Sequence, residues 1–164
     1  SRYYQQLGFD FTKESFEQLG TEFIDAYEKR KSGLRLQPGA RDLLHRLHLA
    51  GVKQAVLSAY RHDTLVAMLE QRGLAAYFDW IVGAEDHYAR GKAAQGAQLI
   101  RRIKPPRGST VLIGDTIHDH EVARYIGVDC LLITSGHQSA ERLNACGCPV
   151  VGSLADSGSR ILEG

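Results

Sequence analysis

Residues 111–123 run Val111-Leu112-Ile113-Gly114-Asp115-Thr116-Ile117-His118-Asp119-His120-Glu121-Val122-Ala123. A short apolar run closes on a glycine and an acid, and a helical pattern from His118 to Ile126 follows, ended by Gly127. That succession of strand, tight turn and helix is one half of a βαβ unit. The same alternation continues on both sides. The spacing predicts strands over Lys53–Leu57, Trp80–Val82, Cys130–Ile133 and Val150–Val151 besides Val111–Ile113. It predicts helices over Asp63–Arg72 (ended by Gly73), Lys92–Ile103 (stopped by Pro105 and Pro106) and Ala140–Ala145 (ended by Gly147). Alternating strands and helices of this kind make an α/β fold, with a Rossmann-like parallel sheet flanked by helices.

Upstream the pattern changes. From Glu14 to Lys31, Phe16, Leu19, Phe23, Ala26 and Tyr27 fall at helical spacing behind Thr12. A polar and proline stretch, Ser32 to Gly39, leads to a second helix over Ala40–Ala50, with Leu43, Leu44 and Leu47 on one face and Gly51 at its end. The boundary separates a small helical piece from the α/β part.

Composition excludes several classes of function. The chain has 164 residues, 43% hydrophobic and 24% charged, enough for one ordinary core. Twenty Lys plus Arg against nineteen Asp plus Glu leave a net charge of +1 with no block of one sign. Neither a nucleic-acid stripe nor a basic membrane patch is expected, and an anionic ligand must be held by a local site. No apolar run approaches the roughly 18 residues of a membrane span. Cys130, Cys146 and Cys148 are odd in number, and the C-x-C pair has no second pair to complete a zinc site, so reduced thiols in a cytoplasmic setting are expected. The first residues, Ser1-Arg2-Tyr3-Tyr4, show neither an initiator Met nor a signal-peptide pattern, which leaves room for something before them.

In an open parallel sheet, ligands sit beyond the carboxyl ends of the strands. Ser58 follows Ala55-Val56-Leu57, Lys92 lies in the loop after Trp80-Ile81-Val82, and Asp115 follows β-pattern residues 111–114. One hydroxyl, one cation and the Asp115/Asp119 pair are thus expected at one sheet edge. Two carboxylates four residues apart can serve one hard cation such as magnesium, directly or through its waters. Asp119 can equally cap the helix it opens. Ser58 is either a turn residue or a hydroxyl donating to a phosphoryl oxygen. Lys92, a cation at the positive end of a helix, calls for an anionic partner. His118 and His120 flank Asp119 and are expected in solvent or behind the site; His45, His48, His62 and His137 suggest no constellation.

The ordered set of Ser58, Lys92 and Gly114-Asp115-Thr116 with Asp119 and Ala123 resembles the second, third and fourth motifs of the haloacid dehalogenase superfamily, in particular its phosphoglycolate-phosphatase-like members. The run Leu36–Leu57 and the tail from Ile126-Gly127-Val128 through Gly136 are similar to the family's as well. The resemblance implies a HAD-like core over residues 34–164 and, over residues 1–33, the C-terminal remnant of a helical cap. It implies a phosphatase acting on a small phosphorylated metabolite through an aspartyl-phosphate, with Mg2+ as cofactor. Asp115 would hold the metal, Asp119 would support a metal water or Lys92, and Ser58 with Lys92 would bind phosphate.

The chain departs from the family at its first motif, the apolar strand ending in D-x-D that carries the nucleophile. Phe9-Asp10-Phe11-Thr12 has one acid where two are needed and no apolar strand before it. Lys92 lacks the proline that often follows it in the family. The nucleophile is therefore expected upstream. Its strand belongs centrally, between those ending at Ser58 and Asp115, and without it two parallel half-sheets with open edges are expected. A non-catalytic phosphate-binding or regulatory module is the alternative, and metal-independent dehalogenase chemistry is disfavoured by the acid pair. A response-regulator receiver uses similar residues, but its acids precede its Ser or Thr and its Lys, the reverse of the order here.

Overall fold

The computed structural model describes residues 36–84 and 91–162. The chain divides into two compact units, Ser1–Leu36 and Gln37–Gly164, and every described helix and strand belongs to the second. The helix expected over Glu14–Lys31, the cap remnant at 1–33 and the Phe9–Thr12 segment lie outside the described residues.

The second unit alternates as its sequence predicts. Its elements are α1 (Ala40–Leu49), β1 (Ala55–Arg61), α2 (His62–Gln71), a 3-10 turn (Ala75–Tyr77), β2 (Trp80–Ala84), α3 (Lys92–Ile103), β3 (Val111–Gly114), α4 (Ile117–Ile126), β4 (Asp129–Ile133), α5 (Ala140–Asn144), β5 (Val150–Val151) and α6 (Leu154–Leu162). Among the described residues, none of these helices is long and apolar enough to cross a membrane.

Among the described residues all strand pairings are parallel, and they form two sheets, one of β1 and β2 and one in the order β3-β4-β5. Register is regular in the second sheet, with Leu112 opposite Cys130 and Leu132 opposite Val150. Helix α3 runs from the end of the first sheet to the start of the second and packs against β1, β2 and α4. Gly96 permits that bridging. A side chain there would press on Leu57 of β1 at 3.0 Å and on Ile126 of α4 at 3.3 Å.

The core of the larger sheet is Leu132, Leu143, Ala123 and Cys130, with Leu112, Val128 and Val150 packed on it. Strand β4 is buried from Cys130 to Ile133, as the central strand of its sheet should be. Helix α1 contributes Leu43 and Leu47, each worth about 1.5–3 kcal/mol of burial.

Two elements differ from the sequence reading. Strand β1 continues to Arg61, past the expected end at Leu57, because Arg61 pairs with Ala84 after an irregularity that follows the Leu57–Val82 pair. Ser58 is therefore inside the strand. Helix α6 has no counterpart in the predicted elements. Its Ser157-Gly158-Ser159 centre hides the apolar periodicity, yet those small residues let it lie close on α1, where a Cβ at Gly158 would come within 2.9 Å of Leu43. Ser153 and Asp156 start this helix by exchanging hydrogen bonds, Ser153 Oγ donating at 2.8 Å and the Asp156 N–H donating back at 3.3 Å.

Candidate active site

The turn between β3 and α4 is built around the Asp119 side chain. Thr116 is the N-cap of α4, and its Oγ1 accepts from the Asp119 N–H at 3.2 Å while donating to Asp119 Oδ2 at 2.8 Å. The N–H groups of Asp115 and Thr116 each donate to the same oxygen at 3.1 Å. Gly114 makes this possible, since any Cβ there would overlap the Asp119 carboxylate.

The other oxygen, Oδ1, accepts from Lys92 Nζ at 2.5 Å. Lys92 is the first residue of α3, so the cation at the positive end of that helix has the anionic partner its position calls for. Gln95, one turn on and buried, donates from Nε2 to the carbonyl of Gly83 at 2.8 Å and ties the start of α3 to the end of β2. Burial pushes the Asp119 carboxyl up, but the hydrogen bonds from Lys92 and Thr116 and the lysine charge outweigh it, and the group is held below the usual carboxylate range. Asp119 thus both caps α4 and pairs with Lys92. Both of its oxygens accept hydrogen bonds from protein groups.

Asp115 points to the next strand end. The loop after β4 brings the His137 N–H to Asp115 Oδ2 at 2.9 Å and its Nδ1 to the same oxygen at 2.7 Å. Gly136 lies so close that a Cβ would occupy the space of the Asp115 carboxylate. Gln138 Oε1 accepts from the Ile117 N–H at 2.8 Å, one of the amides a helix start leaves without an internal partner. The Asp115 hydrogen bond and charge raise the His137 ring above its ordinary value.

His137 was among the histidines for which the sequence suggested no constellation, and the structure corrects that by placing it on Asp115. The signal available was topological: β4 neighbours β3, so the residues after β4 share an edge with Asp115. His118 lies where expected, exposed and 3.3 Å from Glu121 Oε2. Ser58 is not joined to the other three by any hydrogen bond among the described residues. It sits in the other sheet, and its Oγ accepts from the Tyr60 N–H at 3.1 Å.

As a test of fit for a cation, no group of three or more His, Cys, Asp or Glu among the described residues could enclose one. Asp115 is the suitable carboxylate, with Oδ1 free of hydrogen bonds among the described residues and the side chain 28% exposed. One or two carboxylates with several waters suffice for magnesium, so this fits a hydrated ion on one protein ligand and not a closed cage.

The sequence model of the haloacid dehalogenase-like hydrolases matches residues 3–133. The phosphoglycolate phosphatases of Pseudomonas fluorescens and Pseudomonas putida are 28% identical over 117 residues and 27% identical over 133 residues. The matches cover 70% and 79% of this chain but 43% and 48% of those proteins, so the chain spans about half the length of these relatives. The crystal structure of a predicted phosphatase from Clostridium acetobutylicum superimposes with a TM-score of 0.78 at 24% identity, covering 99% of this chain and 76% of that one. With the family's sequence pattern spanning most of its length and the family's fold in its second unit, the chain belongs to the haloacid dehalogenase-like hydrolases.

Proposed function

We propose that this chain supplies the phosphate-binding and metal-binding side of a phosphatase for a small phosphorylated metabolite, working through an aspartyl-phosphate formed on an acid upstream of residue 1. The observation that carries this reading is the Lys92–Asp119 pair at 2.5 Å, set beside the open carboxylate of Asp115 at the end of β3. In this reading Lys92 is held by Asp119 so that its remaining N–H groups bind and orient a phosphoryl oxygen. Ser58 binds a second oxygen from within β1 of the neighbouring sheet, and Asp115 holds Mg2+. The ion, when bound, neutralises phosphoryl charge and favours in-line attack by an oxygen nucleophile.

The place of the nucleophile is supported by topology. Among the described residues β1 pairs only with β2, and β3 only with β4, so each keeps an open edge. An apolar strand between them would close both edges and end level with Ser58 and Asp115. The reading also places the protein in the cytoplasm, where a small metabolite would reach the site.

The test is hydrolysis of a panel of phosphorylated metabolites by the whole protein, with magnesium and with a chelator. Asp115→Asn should abolish magnesium-dependent turnover while the far-ultraviolet spectrum stays unchanged. Retained turnover in that variant would remove Asp115 from the metal site. Binding of phosphate without turnover by the unaltered protein would favour the non-catalytic module.

A further inference from the structure

At the opposite, amino-terminal ends of the larger sheet lies a group of residues that the phosphatase reading does not use. Leu132 pairs with Val150, and the Leu132 N–H donates to Pro149 at 3.0 Å. Carried two residues back, past the start of β5, the same register brings Cys130 and Cys148 side by side, and the two thiols interact. Both pack on the same core face as Leu132 and Val150. Neighbouring strands lie about 4.8 Å apart, within the Cα separation of roughly 4.4–6.8 Å that a disulfide spans. All three cysteines are free thiols.

Cys148 is half-buried at a cavity, while Cys130 is only 8% exposed. A cavity of about 670 Å³ opens at the starts of β3, β4 and β5, and Val111, Asp129, Cys130, Cys148, Arg124 and Arg160 are among its lining residues. Cys146 is not in that lining. Two guanidinium groups against one carboxylate favour an anionic visitor over a cationic one.

We infer that Cys130 and Cys148 form a thiol–disulfide exchange site whose oxidant is the low-molecular-weight disulfide of an acidic thiol. Cys148, half-buried at the cavity, attacks first as its thiolate. One sulfur–sulfur bond of the visitor breaks, a mixed disulfide forms on Cys148, and one small thiol leaves. Cys130 then attacks the Cys148 sulfur and expels the second small thiol, to which its proton passes. Overall the two protein thiols lose two electrons and two protons, and the visiting disulfide is reduced to two thiols. The order of attack follows from the environment of Cys130. Burial, with Cys148 beside it, pushes that thiol up to about 12, which makes Cys130 the poorer first nucleophile and leaves it the second attack.

The experiment treats the native protein with glutathione disulfide or with cystamine, a cationic counterpart, and maps its peptides without reduction. A Cys130–Cys148 cross-link is expected, lost in Cys148→Ser and retained in Cys146→Ser. It should form roughly tenfold faster with glutathione disulfide than with cystamine at low ionic strength. A Cys146–Cys148 link, a mixed disulfide persisting on Cys148 with Cys130 still reduced, or equal rates with the two reagents would each overturn the proposal.

Discussion

Lys92 Nζ meets Asp119 Oδ1 at 2.5 Å although the two residues open helices that follow strands of different sheets. The contact joins the start of α3 to the start of α4, and Asp119 is only 5% exposed. An ion pair so placed matters most when half of it is removed, because the remaining charge keeps its desolvation cost.

Replacing Lys92 with Met should therefore destabilise the fold by about 3–5 kcal/mol, measured by urea unfolding at neutral pH. The same variant should move the Asp119 titration upward, since burial then acts with less opposition. In the unaltered protein the Asp119 carboxyl is depressed, so its contribution to stability is complete above the ordinary Asp value of about 3.9 and is lost as pH falls through the lower folded value. Carboxyl NMR across the acid range checks both statements; an Asp119 titration that is unmoved in Lys92→Met would contradict them.

Gly136→Ala should displace the Asp115 carboxylate, because the new methyl needs the space that side chain occupies. A misplacement of about 1 Å in a catalytic group costs on the order of a hundredfold in rate, and that loss is expected in magnesium-dependent turnover. Gly91→Ala serves as the control, since among the described residues nothing lies within 4 Å of its added carbon. Equal activity in the two variants would mean that Asp115 tolerates the shift.

Gln138→Ala removes the acceptor of the Ile117 N–H, and a loss of about 1 kcal/mol is expected, typical of a helix-start hydrogen bond. Gln138→Glu keeps an acceptor there and should restore most of it. Amide exchange at Ile117 is the local measurement, with faster exchange in the alanine variant only.

His137 should titrate above the ordinary histidine value of about 6.5 and return toward it in Asp115→Asn. A raised pKa means that the protonated ring and the Asp115 carboxylate attract one another below that value, and the attraction is lost as pH rises through the higher folded one. The ring is 87% exposed, so added salt should shrink the difference. Proton NMR of the ring follows it; identical titrations in the two proteins would separate His137 from Asp115.

Much of the second unit could be read directly from the chain. Strand and helix alternated as the apolar pattern required, and Asp115 was placed at a strand end because it directly follows the apolar run Val111-Leu112-Ile113-Gly114. The need of Lys92 for an anion was legible from helix electrostatics. Helix α6 was not, because Ser157 and Gly158 are buried by close approach to α1 and not by hydrophobicity.

The sequence by itself determined the order of the elements as far as β5, the family resemblance of Ser58, Lys92, Asp115 and Asp119, and the expectation of two half-sheets. Local periodicity and short motifs carry that information within a dozen residues. Only the tertiary structure decided which anion Lys92 takes and which groups hold the Asp119 carboxylate. It alone set His137 on Asp115 across 22 residues and made Gln138 the partner of Ile117 across 21. Those contacts depend on where β4 returns beside β3, and hydrogen-bond partners chosen by chain path leave no local trace in composition or spacing.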